Sequence, residues 1–291
     1  AGARMSAPSL AAAGARQSES TLVLEDVHHT YFSGTPNEQR ALQGVDLAME
    51  ERAFVVVVGN NGSGKSTLLN TIAGTVVPDR GRVLIGGEDV TAWPEWRRAA
   101  LVGRVFQNPM SGTIPDLTIA ENLAVAAKRG SRPGALRNAL GRERRRELAE
   151  RVRDLGLGLE DRLDTPVGAL SGGQRQALTL LMATLVRPTM LLLDEHTSAL
   201  DPISTEQVVQ LTERLIRSEG LTTLMVTHSI QQAAALGDRV LIMHRGRIAE
   251  SIGGARKRQL RVEELLDTFE RLRSSDLVDE SAAEMVRRLY I

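Results

Sequence analysis

The chain has 291 residues, with 36 Lys and Arg balanced by 36 Asp and Glu, and it contains no cysteine. Zero formal net charge predicts no nucleic-acid partner, and the lack of cysteine excludes a disulfide framework and thiol chemistry in this sequence. The length suits one large α/β domain, or one domain with appendages.

The amino-terminal part divides into two stretches. Residues 1–21 are rich in Ala, Ser and Gly and poor in acidic residues, and we expect them to be disordered, without the apolar run of a signal peptide. A short apolar strand then begins at Leu22, and the aromatic pair Tyr31 and Phe32 follows it. The pair stands about thirty residues before the first motif that indicates chemistry.

That motif is a glycine-rich loop between a strand and a helix. The β-branched run from Ala53 to Val58 predicts a buried parallel strand, and the residues after the loop predict a helix. Loops of the form Gly-x-x-x-x-Gly-Lys-Ser/Thr bind phosphates through backbone amides and the positive end of the helix. We expect Lys65 to reach the β and γ phosphates and the Ser66 hydroxyl to ligate Mg²⁺. The loop consists of Gly59, Asn60, Asn61, Gly62, Ser63, Gly64, Lys65, Ser66 and Thr67.

Polar residues follow three further apolar runs. Gln107 comes after the run from residue 102, Asp194 and Glu195 after the run from residue 190, and His228 after the run from residue 224. In an open α/β sheet, ligands bind beyond the carboxyl ends of the strands. Asp194 is therefore expected to hold Mg²⁺, either directly or through water.

A second glycine-rich turn opens a second helix. It consists of Leu170, Ser171, Gly172, Gly173 and Gln174. A hydroxyl and free amides at a helix N-terminus form another anion site. A chain with two phosphate sites needs either two ligands or a partner.

The sequences of these motifs and their order resemble those of the ATP-binding subunit of ABC transporters, over about residues 22–250. The resemblance implies an α/β P-loop NTPase of the ABC type, with a mainly parallel core sheet, an antiparallel β subdomain and an inserted helical subdomain. It places the nucleotide-binding domain at residues 22–252, its helical subdomain at about 108–185, and a C-terminal helical extension at 253–291. An amphipathic stripe in that extension is expected to pack on the core or on a dimer mate.

The resemblance also assigns roles. It implies that Tyr31, or failing that Phe32, stacks on adenine, that Gln107 senses Mg²⁺ and the attacking water, and that Glu195 positions or deprotonates this water. His228 would contact the γ phosphate and the catalytic Glu195. The turn from Leu170 to Gln174, called the signature turn below, would complete the ATP site of a second subunit. A segment called the D-loop would cross the same interface, and it consists of Ser198, Ala199, Leu200 and Asp201.

The implied function is ATP hydrolysis, with Mg²⁺, that drives a small solute such as an amino acid through a separate permease. The implied partners are a second copy of this chain or a sister ATPase, membrane permease subunits and a periplasmic binding protein. The implied location is peripheral, on the cytoplasmic face of the inner (plasma) membrane. His196 departs from the family pattern, which has proline there. The wording Asp-Glu-His-Thr resembles a branch of importer ATPases with permeases like those for branched-chain amino acids.

Two other functions use the same motifs. One is the ATPase of an ABC exporter or lipid-extraction complex, which the motifs do not separate from an importer. The other is a soluble ABC ATPase outside transport. DNA-repair members carry a long coiled coil between their motifs, and the 63 positions from Gln107 to Leu170 leave no room for one.

Overall fold

The computed structural model describes residues 20–130, 141–272 and 274. Strand β1 begins at Ser20, two residues inside the segment predicted to be disordered, and the rest of that segment lies outside the described residues. The strands in chain order are β1 (Ser20–Tyr31), β2 (Gln39–Glu50), β3 (Phe54–Gly59), β4 (Arg80–Ile85), β5 (Glu88–Asp89), β6 (Val102–Val105), β7 (Met190–Asp194), β8 (Thr223–Val226), β9 (Arg239–His244) and β10 (Arg247–Gly253).

The α-helices lie mainly between strands of the larger sheet. They are α1 (Lys65–Ala73), α2 (Glu95–Arg98), α3 (Ile119–Ala126), α4 (Arg142–Arg153), α5 (Gly172–Thr184), α6 (Pro202–Glu219), α7 (Ile230–Ala235), α8 (Gly254–Arg258) and α9 (262–272). Within the described ranges, no helix is both long and apolar enough to cross a membrane.

Two sheets form the framework. The larger has the strand order β10-β9-β3-β8-β7-β6, and its strands are parallel except for β10, which pairs antiparallel with β9 at one edge. The smaller is antiparallel, with the order β2-β1-β4-β5. This arrangement confirms the predicted fold class of a mainly parallel sheet beside an antiparallel subdomain.

Strand β3 separates two apolar cores, because alternate side chains of a strand point to opposite faces. Val55 and Val57 belong to the core that β3 shares with helix α1 and the antiparallel sheet. Val56 and Val58 belong to the core shared with helices α3 to α7 and α9. All four side chains are at most 2% exposed, which accounts for the unbroken valine run in the sequence.

The described residues between β6 and β7 include three α-helices that begin or pack in different ways. Thr118 and Glu121 form a reciprocal capping box at the start of α3. Helix α4 is mostly charged and buries only Leu148 and Val152, which lie four residues apart on one face. Helix α5 buries most of its length and carries the signature turn at its N-terminus. Residues 131–140, within the predicted helical subdomain, lie outside the described residues.

After β10 the chain returns to the larger core. The Lys257 ammonium donates to the Ala234 carbonyl oxygen at 2.7 Å, and Leu265 on α9 is fully buried in that core. Leu266, the next residue, is 45% exposed. The predicted stripe thus packs on the core through Leu265. Residues 275–291 of the predicted extension lie outside the described residues.

Candidate functional site

The glycine-rich loop joins β3 to α1 and is tied to its surroundings by backbone bonds. The Ser63 amide donates to the Asn60 carbonyl oxygen at 3.1 Å, and the Gly246 amide donates to the Ser63 carbonyl oxygen at 3.0 Å. Gly64 precedes the helix with φ of 101°, a conformation that favours glycine. These contacts fix the loop around a concave space.

Lys65 fills part of that space. Its ammonium donates to the carbonyl oxygens of Gly59 at 2.8 Å and Asn60 at 3.0 Å, and the residue is only 5% exposed. Burial lowers the pKa of Lys65, although the charges of Glu195 and Asp194 act in the opposite direction. The cation is therefore held in the loop by neutral oxygens that a phosphate can replace.

A cavity of about 260 Å³ opens over the loop. It is lined by residues 61–67 of the loop, by Gln39 and Ala41 of β2, and by Glu195 and His228. A lining of glycine amides, an ammonium and a helix N-terminus, together with a carboxylate and an imidazole, suits a phosphate chain and its attacking water.

Glu195 lies immediately after β7 in a left-handed conformation, with φ of 46°. Its amide donates to the Val226 carbonyl oxygen at 2.9 Å, which holds the unusual backbone in place. Its carboxylate Oε1 lies 2.5 Å from His228 Nε2, and Glu195 is 9% exposed while the imidazole is 47% exposed. The pair therefore reaches the cavity from two neighbouring strand ends.

The other strand-end residues meet polar partners. Asp194 accepts a hydrogen bond from Arg104 of β6, from Nη2 to Oδ2, at 2.9 Å. Gln107 donates through Nε2 to the Ser198 hydroxyl at 3.2 Å, so that it touches the D-loop directly. Thr227, just before His228, donates to Gln232, whose amide donates in turn to Thr197 beside the D-loop.

The donor set suits Mg²⁺. The Asp194 carboxylate, the Ser66 hydroxyl and the Gln107 amide oxygen are hard oxygen ligands, and Mg²⁺ is typically held by one or two carboxylates together with the phosphates of a nucleotide. The ion pair with Arg104 engages Oδ2 of Asp194, and the second carboxylate oxygen, Oδ1, takes no part in it. The residues thus fit the metal that the sequence predicts.

The signature turn lies elsewhere on the chain. Ser171 and Gln174 form a capping box, with the Gln174 amide donating to the Ser171 hydroxyl and the Ser171 amide to the Gln174 side chain, both at 3.2 Å. Leu170 is buried, whereas Ser171 and Gly172 are exposed. None of the turn's residues lines the cavity over the glycine-rich loop. Within one chain the signature turn is therefore separate from the phosphate-binding loop.

The D-loop lies beside the signature turn. A Cβ atom placed on Gly172 would be 3.3 Å from the Leu200 side chain, and one on Gly173 would be 2.9 Å from Ser204. Asp201 caps helix α6 by accepting from the amides of Ile203 and Ser204, and hydrogen bonds with Ser204 lower the pKa of its carboxyl. The two segments therefore form one continuous surface.

Tyr31 is not in the cavity wall. It ends β1, where its ring meets the His29 ring edge-on at 4.6 Å, and the wall on that side comes from Gln39 and Ala41 instead. Phe32, the second choice for adenine stacking, is 68% exposed. The adenine-stacking role of either ring remains a prediction.

Two contacts near the site were not predicted from the sequence. Arg104 sits inside a run that indicates a buried strand, so its pairing with Asp194 was not anticipated. His196 is 1% exposed, and its Nε2 lies 3.0 Å from the Thr212 hydroxyl. Its departure from proline was the only sequence signal for this contact.

A second cavity, of about 320 Å³, lies on the face formed by β6, α3 and α5. We call it the groove, and its main lining residues are Arg104, Phe106, Val125, Arg129 and Met182. Val125 is 44% exposed. Arg129 donates to the carbonyl oxygens of Ala183 and Val186 at the end of α5, and burial lowers its pKa.

The parallel sheet, the phosphate-binding loop and the carboxylate at a strand end together define a P-loop ATPase. The family model described as ABC transporter matches residues 42–198, more than half of the chain. The chain belongs to the ABC transporter family, as an ATP-binding subunit and an ABC-type ATPase.

Several known proteins are similar. The tyrosine transport ATP-binding protein of Clostridioides difficile is 40% identical over 237 residues, covering 81% of this chain and 93% of that protein. The lipoprotein-releasing system ATP-binding protein LolD of Ruegeria pomeroyi is 38% identical, covering 80% of this chain and 98% of that protein. Among solved structures, the dimeric post-hydrolysis state of the ATP-binding cassette MJ0796, bound to ADP and Pi, is 31% identical with a TM-score of 0.68, covering 80% and 98% of the two chains.

Proposed function

We propose that this chain powers the import of a small solute such as an amino acid through a separate membrane permease. The observation that carries the catalytic part is the contact between Glu195 and His228 beside the phosphate-binding loop. The importer part is supported by the similarity to a tyrosine transport ATP-binding protein. A periplasmic binding protein and a peripheral position on the cytoplasmic face of the inner membrane belong to the same proposal.

In this proposal the loop amides and Lys65 bind the phosphates of ATP. Ser66, Asp194 and Gln107 would hold Mg²⁺, which would neutralise developing charge on the phosphates. Glu195 orients the attacking water and accepts its proton. His228 holds the Glu195 carboxylate in place through the 2.5 Å contact and is close enough to the loop to reach the γ phosphate. Tyr31 or Phe32 stacks on adenine once the nucleotide is bound.

The active form is a dimer of two copies, or of this chain with a sister ATPase. The separation of the signature turn from the phosphate cavity supports this, because one chain alone leaves the exposed Ser171 and Gly172 unused. The similarity to a dimeric cassette points the same way. In the dimer, Ser171 and the turn amides of one copy contact the γ phosphate bound to the other, and the D-loops lie between them.

The groove is the proposed binding site for the permease. Its lining combines apolar side chains with Arg104 and Arg129, and Val125 is nearly half exposed, as expected for a surface that a partner covers. It also lies beside Phe106 and hence next to Gln107, which reaches the D-loop. A short permease helix in the groove would thus lie close to the residues that close the dimer.

A second function is supported by the similarity to LolD, a lipoprotein-releasing ATPase subunit by name. It is 38% identical, close to the 40% of the tyrosine transport protein. The alternative is therefore a complex that extracts lipid or lipoprotein, or an exporter, with the same ATPase chemistry and a different permease.

The test is affinity purification of the tagged chain from detergent-solubilised native membranes, with its partners identified by mass spectrometry. We expect a multi-span permease, whose type separates import from extraction. Val125→Glu should lose the permease, because a charge would be buried in the groove. Leu266→Glu, at a position of matched exposure on α9, should keep it. Recovery of the chain without any membrane protein, or with ribosomes or DNA-repair factors, would contradict a role in transport.

A further inference from the structure

Arg104 joins the metal site to the groove. Strands β6 and β7 are parallel neighbours, and Arg104 is paired in register with Leu192. Asp194 lies two residues further along β7, so its side chain is on the same face of the sheet as Leu192. This places the guanidinium 2.9 Å from the carboxylate, with the two side chains only 13% and 15% exposed.

The same guanidinium also belongs to the groove. Its central carbon lies 4.8 Å from the centre of the Phe106 ring, over the ring face. Arg104 and Phe106 line the groove together with Val125 and Met182. One side chain therefore touches both the predicted Mg²⁺ ligand and the surface proposed for the permease.

Arg104 can donate a further hydrogen bond. Its Nε–H is buried and has no hydrogen-bond partner among the described residues. A buried N–H without an acceptor is unfavourable by about 1–3 kcal/mol in general. An acceptor on a segment that enters the groove, such as a backbone carbonyl at the end of a helix, would satisfy it and would draw the guanidinium toward the groove.

The ion pair and the metal use the same carboxylate. A cation next to Asp194 neutralises the charge that attracts Mg²⁺ and repels the ion itself. We propose that Arg104 is a positioning residue that holds Asp194 back from Mg²⁺ in the isolated chain, and that a permease segment in the groove releases the carboxylate by engaging Arg104. The second half of this inference rests on the proposed function, whereas the first half concerns this chain alone.

The first experiment measures ADP binding by the isolated chain as Mg²⁺ is varied, because ADP avoids turnover. Arg104→Met keeps an unbranched side chain over Phe106 and removes the cation. We expect this variant to need about threefold to tenfold less Mg²⁺ for the half-maximal effect of Mg²⁺ on ADP binding. This range corresponds to an ion pair whose strength lies between those of exposed and buried pairs. Arg104→Lys keeps the charge and should stay within about twofold of the parent chain. An unchanged or higher Mg²⁺ requirement in Arg104→Met would overturn the inference.

A double-mutant cycle on thermal unfolding, without nucleotide or metal, tests the ion pair separately. Arg104→Met should lower the melting temperature of the parent chain more than that of the Asp194→Asn variant. Equal shifts in both backgrounds would show that the two groups are not coupled, which overturns the inference. If Arg104→Met does not fold, Arg104→Gln provides the same comparison with a polar side chain.

The second half is tested on the complex purified with its permease. Its Mg²⁺ requirement should approach that of the isolated Arg104→Met variant, and the same substitution within the complex should change little. A complex with the Mg²⁺ requirement of the isolated parent chain would overturn the release step. If no permease is recovered, the proposed function fails, while the titration on the isolated chain still decides whether Arg104 restrains Asp194.

Discussion

The two glycine-rich turns of this chain each open a helix, yet they are completed in different ways. The phosphate-binding loop is occupied by its own Lys65, which is 5% exposed and bonded to two loop carbonyls. The signature turn has an exposed Ser171 and Gly172, and its side chains cap only its own helix. The phosphate-binding loop therefore surrounds a side chain of its own chain, whereas the signature turn is exposed on the surface.

Their glycines differ in the same way. A Cβ on Gly59 or Gly64 would lie 2.4 Å from the backbone oxygen of Met243 or Ala41, a clash that the backbone would have to move to relieve. At Gly172 the nearest atom is a Leu200 side-chain carbon at 3.3 Å. The loop is thus fixed by the fold, whereas the signature turn can meet a second molecule. Nucleotide binding and hydrolysis should therefore be separable by mutation.

The largest expected effect comes from Glu195→Gln. It removes the proposed base while leaving the loop intact, so ATP hydrolysis should fall by about 10²–10⁴-fold while ATP affinity stays near that of the parent chain. The variant should also accumulate as a closed dimer with ATP, held through the signature turn. Phosphate release and size-exclusion chromatography with ATP measure the two effects. Normal turnover would refute the role assigned to Glu195.

Substitutions at two loop glycines sharpen the contrast. Gly64 has φ of 101° and a backbone oxygen 2.4 Å from a would-be Cβ, whereas Gly62 has φ of 76° with nothing within 4 Å. Gly64→Ala should reduce the free energy of unfolding by about 2–4 kcal/mol, and Gly62→Ala by about 1–2 kcal/mol from backbone strain alone.

Urea unfolding measures the stability of both variants, and ADP titration shows whether the loop still binds phosphates. Gly64→Ala should weaken ADP at least tenfold if it folds, since its amide belongs to the cradle. If Gly62→Ala were as unfavourable as Gly64→Ala, the close approach to Ala41 would not be what requires glycine.

The fold was predictable because its signals are local. The valine run of β3 and the apolar run of β7 each lie in a parallel sheet, and the phosphate-binding loop follows a strand and opens a helix, as its motif indicates. The topology of a parallel sheet then brings the strand ends together. That Glu195 and His228 meet follows from β7 and β8 being neighbours, although their roles in catalysis stay predictions.

The rest depends on contacts between distant positions. The left-handed backbone of Glu195 is held by the Val226 carbonyl, and no sequence pattern indicates such a conformation in a glutamate. Arg104 reads as one polar residue in a strand, and its pairing with Asp194 requires the register of β6 and β7. The position of Tyr31 before the glycine-rich loop predicts that it stacks on adenine, but the residues of this region that line the cavity are Gln39 and Ala41, after the turn.

A charge in the signature turn tests its proposed role at the surface. Ser171→Arg places a bulky cation where a second copy is expected, so ADP affinity of the isolated chain should be unchanged while ATP-dependent dimers disappear. ATP hydrolysis should fall about tenfold to a hundredfold. Ser171→Ala is the control for bulk and charge, since it loses the cap, at about 1 kcal/mol, and the hydroxyl contact with the phosphate but leaves room for a second copy. Dimers that persist in Ser171→Arg would place the interface elsewhere.

The smallest effect concerns His196 and the acid stability of the protein. Thr212 donates its hydroxyl hydrogen to the Val208 carbonyl at 2.7 Å, so it accepts from His196, which must carry its proton on Nε2. Nδ1 is buried and has no hydrogen-bond partner in the described part of the chain, and burial lowers the pKa of His196 from 6.5 to about 4. Protonation would therefore place a charge in an apolar site.

Because the folded-state pKa is the lower one, the unfolded chain binds more protons between about pH 6.5 and 4. The contribution of neutral His196 is complete above that window and is lost as pH falls, by up to about 1.4 kcal/mol per pH unit. His196→Gln keeps a hydrogen-bond donor for Thr212 and does not titrate. Urea unfolding of the metal-free proteins at several pH values should show the parent chain losing stability relative to the variant below pH 6.5. Parallel pH profiles would mean that His196 does not titrate as a buried neutral group.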